Sequence, residues 1–152
     1  MNELLDAVRA GDVRTVQTLL GRQPSLASGA DDEGTTLVMV ALKAGHTRVV
    51  DALLDAGADL DVFGAAALGR ANELDILLGL DPRLADSVGA DGCTPLHHAA
   101  RFGQARAVQV LLAHGADASA RSADGQTASA LAEAAGHDEI RTLLETPAGG
   151  SA

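Results

Sequence analysis

Aromatic side chains are almost missing from this chain: its 152 residues include Phe63 and Phe102 but no tryptophan or tyrosine. A hydrophobic core must therefore be aliphatic, and the hydrophobic fraction of 47% is ample for one. Small side chains allow helices to approach each other closely. The composition therefore favours thin, tightly stacked helices over a β-sandwich.

Cysteine is scarce as well, since Cys93 is the only one. One cysteine cannot form an intramolecular disulfide, which excludes a disulfide-stapled secreted scaffold. The first residues lack a basic segment followed by an apolar run, so they do not read as a signal peptide. No apolar run approaches the roughly 18–20 residues that a membrane-spanning helix needs. We therefore predict a cytoplasmic protein.

Basic residues are in the minority, with 11 lysines and arginines against 21 aspartates and glutamates, for a formal net charge of −10. Repulsion from phosphate groups argues against nucleic acid or an anionic membrane as the main partner. A partner protein with a basic surface is compatible with this charge. Lys43 is the single lysine, and this preference for arginine, with abundant alanine and glycine, favours a GC-rich bacterial coding sequence.

What the sequence does contain is internal repetition. Leu-Leu pairs recur along the chain, and each pair follows a glycine at a similar short distance. The pairs are Leu19-Leu20, Leu53-Leu54, Leu77-Leu78, Leu111-Leu112 and Leu143-Leu144. They predict five units, at about 1–30, 31–60, 61–88, 89–121 and 122–146, which we number as repeats one to five.

Repeat four is the best formed of the five. Asp91-Gly92 is a turn pair, because glycine accepts a positive φ. Thr94 is a good helix N-cap, and Pro95 suits the first helical position, where its missing N–H costs nothing. His97 then falls at the third helical position, from which it can return a hydrogen bond to the loop. The pattern predicts a short helix entered through a turn.

A second helix follows in repeat four, with Val108, Leu111 and Leu112 at the spacing of a buried stripe. One repeat after Gly92, the pattern restarts at Gly125. Asp-Gly-x-Thr-Pro-Leu-His-x-Ala-Ala-x-x-Gly, followed by a Leu-Leu helix and Gly-Ala-Asp, resembles the ankyrin repeat. The resemblance implies an all-α solenoid of about five helix–turn–helix units in a single domain, residues 1–146, with 147–152 as a flexible tail.

A longer period relates repeats one and two to repeats three and four. The same separation joins Gly34 to Gly92 and Gly45 to Gly103. The interval from Gly45 to Gly69, in contrast, is clearly shorter than the interval from Gly69 to Gly103. The residues missing there are those that form the projecting β-turn finger of an ankyrin repeat. We therefore expect fingers except before repeat three, whose first helix begins near Asp61.

The resemblance also implies where a partner binds. In ankyrin repeats the ends of the first helices face a concave groove, and the finger turns form its rim. Arg101 and Phe102 are the best anchor candidate, because arginines and aromatic residues dominate interface hot spots. The alternative is that Phe102 packs between neighbouring first helices and Arg101 is merely solvated. The predicted partner-binding residues are Arg9, Asp32, Glu33, Thr35, Lys43, Leu68, Asp91, Cys93, Arg101, Phe102, Asp124 and Gln126.

Patterns of catalytic or metal-binding residues are not found. His97 and His98 point to different sides of a helix, and no Cys-x-x-Cys or His-x-x-x-His pair completes a metal site. Cys93 is either an exposed thiol on a finger or an inert small residue, and the lack of a nearby base favours the second. No catalytic triad, phosphate-binding loop or carboxylate pair is recognisable.

We therefore predict a monomeric, non-catalytic protein–protein interaction module that needs no cofactor. Two alternatives stay open at this point. One is a self-associating structural protein, and the other is a small-ligand regulator or enzyme that uses the groove.

Overall fold

Residues 2–89 and 91–145, except the side chain of Asn2, are described by a computed structural model. This part of the chain contains ten α-helices that follow one another in pairs. The first helices of the pairs are α1 (Asn2–Ala10), α3 (Leu37–Lys43), α5 (Val62–Leu68), α7 (Pro95–Arg101) and α9 (Ala128–Ala134). The second helices are α2 (Val13–Arg22), α4 (Thr47–Asp55), α6 (Ala71–Leu80), α8 (Ala105–Ala113) and α10 (Asp138–Glu145). The prediction of five helix–turn–helix repeats is confirmed.

Two short 3₁₀-helices also occur in the described residues, at Pro24–Ser28 after α2 and at Pro82–Asp86 after α6. The proline of each occupies a first-turn position, where it leaves no hydrogen bond unmade. The predicted flexible tail, residues 147–152, lies outside the described residues.

Contacts divide the chain into two compact bodies. The amino-terminal body, Met1–Leu60, contains repeats one and two, and the carboxy-terminal body, Asp61–Ala152, contains repeats three to five. The single domain over residues 1–146 stays a prediction.

In the amino-terminal body, α1 lies against α3 and α2 lies against α4. The apolar stripes of these helices meet in an aliphatic core, as the composition predicts. Fully or nearly fully buried side chains in this core are Leu4, Val8, Val16, Leu37, Val49 and Leu53. Each helix pair therefore depends on its neighbour to cover its apolar face.

In the carboxy-terminal body, α7 packs between α5 and α9, and α6 and α10 both pack against α8. Small side chains on α5 and α7 are completely buried: Ala65, Ala66, Ala99 and Ala100 are all 0% exposed. Larger aliphatic side chains fill the layer between first and second helices. They include Leu74, Leu78, Leu96, Leu111 and Ile140.

Repeat three starts without a finger. Helix α4 ends at Asp55, α5 begins at Val62, and Asp61 is the N-cap, with its carboxylate accepting a hydrogen bond from the Gly64 N–H at 2.8 Å. The short connection leaves no room for a hairpin, whereas repeat two has one, marked by an antiparallel bridge from Ala30 to Thr36. The prediction of fingers except before repeat three is confirmed.

The longer period of the sequence also appears in the contacts that join successive repeats. In the amino-terminal body, the Asp59 N–H donates to Ser28 Oγ at 2.9 Å. At the equivalent positions of the carboxy-terminal body, the Asp117 N–H donates to Asp86 Oδ1 at 3.0 Å. Ser119 donates its O–H and N–H to the Asp117 carboxylate, which holds the pKa of that carboxyl below its usual value. The same loop-to-loop tie is thus built twice with different side chains.

Candidate partner-binding surface

The finger of repeat two is organised by Asp31. Its Oδ1 accepts hydrogen bonds from the N–H groups of Glu33 at 3.0 Å and Thr35 at 2.9 Å, which closes the turn from within. Asp32 and Glu33, at the tip, are exposed, and Thr35 is half-buried. The turn therefore uses Asp31 for its own structure and presents Asp32 and Glu33 outward.

Arg9 and Lys43 lie at the ends of α1 and α3, and both are exposed. Arg9 Nη2 lies 3.9 Å from Asp31 Oδ2, with side-chain exposures of 55% for Arg9 and 11% for Asp31. Because Arg9 is more than half exposed and the two atoms are 3.9 Å apart, water screens this contact, which contributes at most about 1 kcal/mol. Arg9 can therefore exchange this contact for one with a partner at little cost.

Asp31 is a member of this surface that the sequence reasoning missed. A signal for it exists, because aspartate favours the first position of a β-turn and Asp31 lies shortly before the turn glycine, Gly34. Its role as the counter-ion of Arg9 joins two different repeats, and no local pattern encodes that contact.

Cys93 requires a correction. The sequence places it on the finger surface, but its side chain is only 3% exposed, so it cannot contact a partner in this conformation. The Asp91 carboxylate accepts a hydrogen bond from the Cys93 N–H at 3.0 Å, and Cys93 then leads directly into the N-cap Thr94. This geometry turns the thiol inward and leaves Asp91, which is half-buried, at the surface.

Thr94 and His97 form the reciprocal cap that the sequence predicts at the start of α7. The His97 N–H donates to Thr94 Oγ1 at 3.4 Å, and the Thr94 N–H donates to His97 Nδ1 at 3.0 Å. The other ring nitrogen, Nε2, lies 2.9 Å from the carbonyl oxygen of Gln126 in the next finger. His97 is 1% exposed and therefore acts as a structural tie between the fingers of repeats four and five.

Arg101 and Phe102 lie at the end of α7, where Phe102 is the C-cap, and both side chains are half-buried. Leu68, at the end of α5, is also half-buried. The aromatic ring that packs against the apolar core of this body is Phe63. Arg101 and Phe102 are thus partly accessible side chains that lie outside the apolar core.

The finger of repeat five exposes Asp124 and Gln126. Its backbone is fixed by a hydrogen bond from the Ser122 N–H to the Gln126 carbonyl at 2.8 Å, and by one from Arg121 Nη1 to the Gly125 carbonyl at 2.8 Å. The side chains at the tip therefore project from an ordered turn.

The predicted residues fall into two groups, one on each body. The amino-terminal group is Arg9, Asp32, Glu33, Thr35 and Lys43. The carboxy-terminal group is Leu68, Asp91, Arg101, Phe102, Asp124 and Gln126, with Cys93 removed because it is buried.

Three clefts occur where second helices begin, beside Gly11, Gly69 and Gly103. All three are open to solvent, and none of the three is lined by a predicted partner-binding residue. A small-molecule site usually encloses most of its ligand. The three clefts are too open to enclose a small molecule in this way.

Residues 4–75 and 62–149 both match the sequence profile of the family described as Ankyrin repeats (3 copies). Ankyrin repeat and SOCS box protein 11 of Danio rerio is 35% identical over 117 residues, which cover 70% of this chain and 38% of that protein. Probable E3 ubiquitin-protein ligase XBOS31 of Oryza sativa subsp. japonica is 32% identical over 128 residues, which cover 76% of this chain and 28% of that protein. The chain thus spans less than two-fifths of the length of these relatives.

None of the helices within residues 2–89 and 91–145 has both the length and the apolar character needed to cross a bilayer. Four features point to the same family: the paired helices, the Thr-Pro-Leu-His cap, the finger turns and the profile that matches most of the sequence. This chain belongs to the ankyrin repeat family.

Proposed function

We propose that this ankyrin repeat protein is a non-catalytic module that binds one partner protein through its finger tips and the ends of its first helices. Ankyrin repeats are general protein–protein interaction modules. The observation that carries the proposal is the half-buried Arg101–Phe102 pair at the end of α7, outside the core. Side chains that are accessible and not needed for packing are where specificity usually lies.

The charge of the chain favours a partner with a basic surface. The fingers expose Asp32, Glu33 and Asp124, and the formal net charge is −10. Charge of this sign speeds encounter with a cationic protein and repels nucleic acid and anionic membranes. Arg9, Lys43 and Arg101 add cationic contacts at the ends of α1, α3 and α7. We propose that the protein acts as a cytoplasmic, bacterial monomer and that its binding of the partner needs no cofactor.

Replacing Arg101 and Phe102 together by alanine is expected to weaken partner binding at least tenfold, because both residue types dominate interface hot spots. The partner is captured from a lysate of the source organism with the immobilised wild-type chain and identified by mass spectrometry. Binding of the purified partner is then measured by calorimetry with the wild-type and the variant chains.

The matched control is Arg106→Ala/Gln109→Ala, which removes one arginine and one long polar side chain from the exposed face of α8. This control should bind like the wild type, and both variants should unfold at the wild-type temperature. Equal affinity of all three chains would remove Arg101 and Phe102 from the binding surface.

Self-association is a second candidate because apolar side chains are exposed in repeat three. Ile76 and Leu80 on α6 are 62% and 79% exposed, and Val88 is 64% exposed. Large exposed apolar side chains are a common component of interfaces between copies of a chain. Light scattering on a size-exclusion column should give the monomer mass at high concentration if the first proposal holds. A dimer that Leu80→Gln dissociates would establish self-association instead.

A further inference from the structure

We propose that Asp91, Cys93 and His98 form a binding site for a thiophilic divalent transition metal such as zinc. One ligand atom from each of the three lies within 4.8 Å of the other two. His98 Nε2 is 3.8 Å from Asp91 Oδ2. In the sequence His98 pairs most obviously with its neighbour His97, but in the fold it instead meets two residues of the preceding finger.

The ligand set determines the class of metal. A thiolate, an imidazole and a carboxylate are all established zinc ligands, and three protein ligands with water in the fourth position form a common zinc arrangement. Magnesium and calcium prefer all-oxygen sites, so a site with sulfur and nitrogen disfavours them. Zinc ligand distances are about 2.0–2.3 Å.

The spacing of the three ligand atoms suits an ion of this size. Because no two of them are more than 4.8 Å apart, a point within about 2.8 Å of all three exists. Each ligand atom then needs to move toward that point by roughly 0.5–0.8 Å to reach a zinc distance, the sulfur least and the nitrogen and oxygen most. Small side-chain rotations supply a movement of that size.

Burial fixes two of the three ligands before any ion binds. Cys93 is 3% exposed and His98 is 2% exposed, whereas the Asp91 side chain is 28% exposed. The ion would therefore reach the site past Asp91, and the water that completes its coordination would occupy that side. Ligands already held in place lose little entropy on binding.

Neighbouring groups orient the ligands as the outer shell of a metal site does. Asp91 Oδ1 accepts a hydrogen bond from the Cys93 N–H at 3.0 Å, while Oδ2 is the oxygen nearest the His98 ring. The Phe63 ring lies edge-on to the His98 ring, with centroids 5.9 Å apart and an interplanar angle of 82°. Phe63 therefore holds the imidazole and excludes water from one side of the site.

A bound ion would link the finger of repeat four, through Asp91 and Cys93, to helix α7, through His98. The finger tip would then be fixed by metal bonds in addition to its turn hydrogen bonds. Metal binding that requires the folded arrangement raises thermal stability by mass action.

The test is calorimetric titration of the purified chain, reduced and stripped of metal, with ZnCl₂. One equivalent is expected to bind, and Cys93→Ser and Asp91→Asn should each weaken binding at least tenfold. Titration with CoCl₂ should give the charge-transfer absorption of a cobalt–thiolate bond in the wild type and lose it in Cys93→Ser. His114→Gln is the matched control, because it removes a histidine from an exposed pair with Asp75.

Circular dichroism of each metal-free chain checks the fold. Asp91→Asn keeps an oxygen that can accept from the Cys93 N–H, so it tests the site even if Cys93→Ser does not fold. Equal zinc affinity in the wild type, Cys93→Ser and Asp91→Asn, or the absence of the cobalt–thiolate band from the wild type, would overturn the proposal. A loss of zinc binding in His114→Gln equal to that in Cys93→Ser would do so too.

Discussion

Replacing Leu111 by alanine is expected to lower the free energy of unfolding by about 2–5 kcal/mol. Leu111 is 0% exposed in α8, a helix that packs against α6, α7 and α10. Removing its side chain leaves a cavity that the surrounding backbone of three repeats cannot close by moving one element. Urea unfolding followed by circular dichroism measures the loss.

Leu112→Ala is the matched control, because it makes the same chemical change one residue along, at a half-buried position. Leu112→Ala should lower the free energy of unfolding clearly less than Leu111→Ala does. Hydrogen exchange should show lost protection mainly in residues 61–145 for Leu111→Ala, and mainly in residues 2–60 for Leu53→Ala. Equal losses for Leu111 and Leu112, or uniform loss of protection along the chain, would contradict the prediction.

Replacing Gly92 by alanine is expected to lower the free energy of unfolding by about 2–5 kcal/mol, the sum of two separate effects. Gly92 has a φ of +74°, a conformation that costs a residue with a side chain roughly 1–2 kcal/mol. A Cβ at this position would also lie 2.5 Å from the backbone nitrogen of Ala123 in the next finger. Backbone atoms cannot yield as a flexible side chain does, so forcing them apart adds roughly 1–3 kcal/mol.

Gly125→Ala separates the two causes. Gly125 is the corresponding turn glycine of repeat five, with a φ of +78° and no atom within 4 Å of the position its Cβ would occupy. The free energy of unfolding of Gly125→Ala should fall by only roughly 1–2 kcal/mol, which is the cost of the conformational strain. Thermal and urea unfolding of both variants compares them directly. If Gly125→Ala proves as damaging as Gly92→Ala, the close approach of Ala123 has no energetic weight.

The fold could be predicted from the sequence because its signals are local. Thr94, Pro95 and His97 specify the start of α7 within one short motif, and the structure shows the cap they predict. The same holds for the missing finger, since the short interval from Gly45 to Gly69 leaves too few residues to build one. Local spacing therefore sufficed for the architecture.

The candidate surface was predictable only in part, because it depends on contacts between segments far apart in the sequence. The spacing around Cys93 indicates a finger, but its burial follows from how that finger lies against α7. Phe63 and Phe102 are the two aromatic residues of the chain, and only the packing distinguishes the ring that lines the core from the ring at the helix end. No local pattern encodes the approach of His98 to Asp91.

The contact between the His97 ring and the Gln126 carbonyl has a consequence for synthesis on the ribosome. The acceptor is made 29 residues after the histidine, so the imidazole of the nascent chain has no such acceptor until the next finger has been translated. We expect the fourth repeat to become fully ordered only after the fifth has left the exit tunnel. The carboxy-terminal body would thus reach its final structure only after its last repeat has been synthesised.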